Sequence, residues 1–191
     1  MILWMVGGAV VLLVLVAGGW FLLARSSRRD KELASGPRRF HWAMIAAYRG
    51  DADPTQLSRE EAGGILKDGW SQQDPDQLRR LLSKYRSGEI NAAFDAVRVA
   101  WLAELAVAAG WFSIDEAMQW SEPEWRRVRG AHRTWAEYES ALLEGRARWW
   151  AEIARKPMPE SERARSVEIR AEAKQVFDSV AFSDSGQVIV G

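Results

Sequence analysis

The chain begins with an unbroken apolar run: MILWMVGGAVVLLVLVAGGWFLLA, from Met1 to Ala24, holds no charged side chain. As a helix it is long enough to span a hydrocarbon core of about 30 Å. Trp4 and Trp20 stand near its two ends, where indole rings prefer the headgroup level. Arg25, Arg28, Arg29 and Lys31 follow at once, Arg38 and Arg39 a little later, and no basic side chain precedes the run. This asymmetry predicts one membrane span, with the N-terminus outside and the remainder on the cytoplasmic side of a bacterial inner membrane. A cleaved signal peptide would show a basic start and a shorter apolar core, and only Ala17-Gly18-Gly19 speaks for it.

Beyond the run the apolar positions recur at helical spacing. Residues 25–39 are polar, end in Gly36-Pro37 and read as a juxtamembrane linker. Phe40 to Arg49 reads as a short helix stopped by Gly50, with Asp51 to Pro54 as a turn. Ser58 and Glu61 have capping-box spacing before a helix over Arg59 to Lys67. Asp74-Pro75 opens another, whose stripe is Leu78, Leu81, Leu82 and Tyr85. Asn91 to Ala109 is apolar on nearly every face, which predicts the central helix of a bundle.

Gly110 closes that central helix. Ser113 with Glu116, Ser121 with Glu124, and Thr134 with Glu137 then repeat the capping spacing and predict three further helix starts. Gly145 inside the last of these costs about 1 kcal/mol relative to alanine, which suggests close approach by a neighbouring helix. Pro157 and Pro159 precede a charged helix over residues 160–178 and a final strand or tail. The expected architecture is all-α: an N-terminal single transmembrane helix followed by a compact bundle of five to seven helices. The expected divisions are an anchor at 1–24, a linker at 25–39, a helical domain at 40–156 and a charged helix and tail at 157–191.

Composition narrows the function. Twenty-six basic and 26 acidic residues balance, so the basic excess of a nucleic-acid binder is absent and no nucleic-acid partner is expected. There is no cysteine, hence neither disulfides nor thiolate metal sites. Nine of the 11 tryptophans follow the apolar run, as core side chains or as an aromatic groove or membrane-lying surface. No phosphate loop, dinucleotide fingerprint, HExxH pair or nucleophile elbow occurs, so no catalytic residue, metal site or cofactor is assigned. His41 and His132 read as surface or capping groups.

Two groups of polar residues remain as candidates. Asp95 and Arg98 lie three apart on one face of the central helix and can pair, as a buried bridge, a ligand site or an exposed pair. With Glu104 and Arg146 they form a candidate polar cluster that is structural or functional depending on whether the four converge. Arg126, Arg127, Arg129 and Arg133 form the densest basic patch, read as a solvated face or a contact for anionic lipid or a nucleotide. The preferred function is a membrane-anchored helical interaction module, partnered by the bilayer through residues 1–24 and by another protein. The alternative is a membrane-associated enzyme or a small-ligand or anionic-lipid-binding domain.

Three segments carry a resemblance. AAFDAVRVAWLAELAVAAGWFSIDEAMQW, TWAEYESALLEGRARWW and the stretch near Trp70 resemble the bacterial family designated domain of unknown function 1266, over about residues 70–150. The positions that carry the likeness are Asp95, Arg98, Gly110, Trp111, Glu116, Trp135, Glu137, Gly145, Arg146 and Trp149. Thr134 stands where the family more often has serine, and either residue caps a helix. The resemblance implies a helical domain and supplies no activity.

Overall fold

Asn91 starts the helix around which the others are arranged. Its side-chain oxygen accepts the Phe94 amide at 2.8 Å, and the helix runs from Ala92 to Ala108. Residues 93–106 are all buried, as expected of a helix apolar on every face. The computed structural model describes residues 27–50 and 52–182, which form eight α-helices. In chain order these are α1 (Arg28–Ser35), α2 (Arg39–Arg49), α3 (Arg59–Gly64), α4 (Pro75–Arg86), α5 (Ala92–Ala108), α6 (Ile114–Ala131), α7 (Trp135–Arg148) and α8 (Glu160–Ser179). A 3-10 turn precedes α3, and π-helical turns prolong α3 over Ile65–Gly69 and α7 over Trp149–Ile153.

The central α5 packs against α2, α3, α4, α6 and α7, while α1 and α8 both lie on α2. Trp42, Phe40, Met44 and Ile45 of α2, Leu78 and Leu82 of α4, and Tyr138 of α7 are buried around it. Removing such side chains from water is the main stabilising term, about 1.5–3 kcal/mol for each large aliphatic or aromatic group. Local chemistry sets the helix starts. Ser58 and Glu61 form a reciprocal capping box, and Asp74, Ser113 and Thr134 each accept the amide three residues on. Gly50 and Gly110 end α2 and α5 in the left-handed region, at φ 68° and 73°.

The expected membrane-spanning helix falls on residues 1–24, which lie outside the described residues. Among the described residues no helix is long and apolar enough to cross a membrane. The longest, α8, carries charge along its whole length, and the most apolar, α5, contains Asp95, Arg98 and Glu104. The expected single-pass fold is therefore corrected to an all-α bundle, with eight helices among the described residues rather than five to seven. The expected bilayer partner through residues 1–24, the inner-membrane location with its assigned sidedness, and the membrane-anchored module with its membrane-associated alternative all rested on that span and are set aside. So is the protein partner. Ile114, Ile153 and Val167, the large apolar side chains exposed among the described residues, stand on three separate elements and argue for no single docking face.

Two local departures have plain causes. The polar stretch expected as a linker contains α1, capped by Ser27 and tied to α2 by the Glu32 carboxylate. That carboxylate accepts Arg38 and the Trp42 indole N–H, the latter at 2.6 Å. Arg28 turns inward onto Glu104. In α6 the chain does not restart at Ser121. The Ser121 hydroxyl donates back to the Ala117 carbonyl at 2.8 Å, and the helix continues through Pro123. Glu124 is drawn into buried ion pairs with Arg86 and Arg127 instead of capping.

Candidate functional site

Close contact between α5 and α7 builds the site. A Cβ on Gly145 would lie 2.5 Å from the Phe94 Cβ and 2.8 Å from the Asn91 amide nitrogen, so only glycine permits this approach. The Asn91 amide also donates to the Ala141 carbonyl at 2.8 Å, locking the two helices together. The next residue, Arg146, is thereby carried inward. Three residues later α7 passes into its π-helical turn, which presents Trp149, Trp150 and Ile153. The other π-helical turn presents Ile65 and Gly69 and leads to Trp70 and to Ser71, held at φ 55°. Both turns border one cavity of about 630 Å³, well within the range of small-molecule sites. Such turns are rare in helices and concentrate at functional sites.

Aromatic rings make up much of the wall. Trp70 meets Tyr85, Tyr48 meets Phe94 and Trp149 meets Trp150, each pair edge to face, with centroids 6.5, 6.2 and 5.2 Å apart. Set among them are Arg49, Lys84, Arg98 and Arg146, with Glu89 and Glu162 as the carboxylates of the lining. The Arg98 guanidinium lies 3.6 Å from the Tyr85 ring centre and 5.0 Å from that of Phe94, and it donates to the Tyr85 hydroxyl. Its nearest carboxylate oxygen, on Asp95, is 3.7 Å away, and its Nη1 has no hydrogen-bond partner. Arg146, 9% exposed, donates to the Ser166 hydroxyl at 2.8 Å and the Tyr48 carbonyl at 3.1 Å. Both partners are neutral, and Arg146 makes no ion pair among the described residues. Arg49 rests over Trp101 at 4.8 Å, and Lys84 pairs with Glu89 at 2.9 Å.

Burial shapes the titration here. It pushes the Asp95 carboxyl up, opposed by the Ile90 amide that donates to it at 2.8 Å and by the Arg98 charge. Burial likewise pushes the Tyr85 phenol up to about 12, against the pull of Arg98, so Tyr85 stays a neutral hydroxyl.

The four residues of the expected polar cluster divide. Arg98 and Arg146 line the cleft, and Asp95, fully buried, stands behind Arg98 without lining it. Glu104, nine residues along α5 and so about 13.5 Å further on, sits in a second buried group. It accepts from Arg28 of α1 and lies 3.0 Å from His41 Nε2. His41, read from sequence as a surface or capping group, is fully buried. Burial and the nearby Arg38 and Arg28 charges push its imidazole down to about 3, so it is neutral.

The arginines of the expected basic patch point to separate partners. Arg126 pairs with Glu122, Arg127 pairs with Glu124, and Arg129 lies 4.2 Å above the Phe40 ring. Arg133 offers its backbone amide to Glu137. His132, half-buried beside Tyr138, is pushed down by burial. Among the described residues no group of three or more His, Asp or Glu side chains is placed to hold a metal ion.

Sequence reasoning gave no site role to Arg49, Lys84 or Trp150, and read Tyr85 only as part of an apolar stripe. The available signal was the adjacent pair Trp149-Trp150 one turn after Gly145, a placement that gives two large rings to one helix end.

Residues 22–179 match the family model described as a protein of unknown function, DUF1266, a longer span than the resemblance over about 70–150 suggested. No curated protein and no solved structure matches the chain.

Proposed function

The chain belongs to the DUF1266 family of proteins of unknown function, and from that premise we propose that its cleft binds a small anionic ligand. The observation that carries this reading is the pair Arg98 and Arg146. Both guanidiniums are at least nine-tenths buried and line one cavity; Arg146 has no carboxylate partner among the described residues, and Arg98 has only Asp95, in a long ion pair at 3.7 Å. Taking a charge out of water costs several kcal/mol unless a counter-charge and hydrogen bonds compensate it. Guanidinium forks match the oxygens of phosphate and carboxylate, and their aromatic surroundings strengthen the attraction by excluding water. Arg49, stacked on Trp101, adds a third such group at the lining.

The test is thermal and chemical unfolding of the full chain with inorganic phosphate, pyrophosphate or citrate, against sodium chloride at equal ionic strength. An anion at about 100 times its dissociation constant stabilises the native state by about 2.7 kcal/mol. Arg146→Gln is expected to abolish the stabilisation. No shift with any of the three at tens of millimolar would sink the reading.

A further inference from the structure

The cleft carries more than a charge. Trp70, Trp149 and Trp150 line it without being fully buried, and none of their indole N–H groups has a hydrogen-bond partner among the described residues. Elsewhere two indole N–H groups serve the fold, Trp42 donating to Glu32 and Trp135 to the Val180 carbonyl at 2.7 Å, while those of Trp101 and Trp125 are buried without a partner. The three cleft indoles also come from two different helix ends, each loosened into a π-helical turn. A simple anion needs no such surface. Stacking faces beside guanidiniums are what a flat ring joined to an anion requires.

We infer that the ligand is a heteroaromatic ring carrying a phosphate monoester, the chemical class of a nucleoside monophosphate, with the ring on the tryptophans and the phosphate at Arg98 and Arg146. This inference rests on the anion-binding reading of the same cleft. The cavity volume suits a molecule of that size rather than a bare ion. A phosphate monoester near neutral pH carries up to two negative charges, and the four cations of the lining outnumber its two carboxylates. Glu89 and Glu162 remain as acceptors for ring amino or sugar hydroxyl groups, a polar complement that inorganic phosphate cannot use.

Calorimetric titration of the full chain tests it with adenosine, guanosine, cytidine and uridine 5′-monophosphates, and with ribose 5-phosphate. At least one nucleotide is expected to bind tenfold or more tighter than ribose 5-phosphate, the gain that stacking one base gives. Trp150→Leu should lower nucleotide affinity by a larger factor than ribose 5-phosphate affinity, whereas Arg146→Gln should weaken both alike. Trp150 lies outside the hydrophobic core cluster, so its replacement leaves that core intact, and circular dichroism would verify the folded state of each variant. Trp70→Leu provides a second check on the stacking surface. If ribose 5-phosphate binds as tightly as every nucleotide, the ring-phosphate class is overturned while the anion site stands. If no phosphate compound binds, both are overturned.

Discussion

At the scale of single residues, Asp95 and Arg146 make opposite demands on stability. Asp95 accepts the Ile90 amide and is the carboxylate beside Arg98, so it serves the fold whatever else it serves. Asp95→Ala leaves a buried amide and a buried guanidinium without it, and breaking a buried pair costs roughly 3–5 kcal/mol. Asp95→Asn keeps an acceptor for Ile90 and should cost less. Urea unfolding checks both, and an unchanged midpoint for Asp95→Ala would remove the buried-pair argument. Arg146 has only neutral partners, so Arg146→Met gives up two hydrogen bonds but also a buried charge. Its expected cost without ligand is about 1 kcal/mol or less, together with loss of the stabilisation by phosphate. A cost as large as that of Asp95→Ala would instead mark Arg146 as scaffolding.

At the scale of elements, the contact between α5 and α7 decides whether the cleft exists. Gly145→Ala gains about 1 kcal/mol of helix propensity, but the new methyl meets Phe94 Cβ and the Asn91 amide. Those atoms belong to a capped helix start and have little room to yield. The expected net effect is a destabilisation of about 1–3 kcal/mol, as for overpacked cores, with weakened phosphate binding because Arg146 is displaced. A more stable variant with intact binding would contradict the close approach. This element was legible in advance because glycine in a helix interior has a known cost and few uses. The central α5 was legible too, since apolar character on all faces leaves a helix no position but the middle. Other features were not. The spacing that predicts a capping box at Ser121 cannot reveal that its hydroxyl donates to Ala117, because hydroxyl direction depends on the helix already being formed. The π-helical turns bordering the cleft have no pattern of their own in side-chain hydrophobicity. Arg49, Lys84 and Tyr85 lie on α2 and α4, and only the packing of those helices around α5 brings them beside Arg98. α1 was hidden by composition: its polar side chains resemble those of a linker, yet Glu32 and Arg28 are spent on contacts with α2 and α5.

At the scale of the whole molecule, the bundle depends on a buried polar group far from the cleft. Glu104 on α5, His41 on α2 and Arg28 on α1 join three helices. The neutral His41 ring also faces Trp42 and Trp125, with Arg38 contributing charge nearby. Its value is lowered from 6.5 to about 3 in the native state. Between those limits the unfolded chain binds a proton that the native chain does not. Stability therefore rises with pH through this window and is lost as the pH falls below about 6.5. Between pH 6.5 and 5 the loss from this one group is on the order of 2 kcal/mol. His41→Gln retains a donor for Glu104 but cannot take up the proton. Urea unfolding of both proteins at pH 7 and pH 5 should show the steeper loss in the unmodified chain. Equal losses would mean that His41 does not carry the acid sensitivity. The cleft provides an internal control, because Arg98 and Arg146 belong to a group separate from His41 and Glu104. Phosphate should therefore add stability at both pH values while the His41-dependent difference persists.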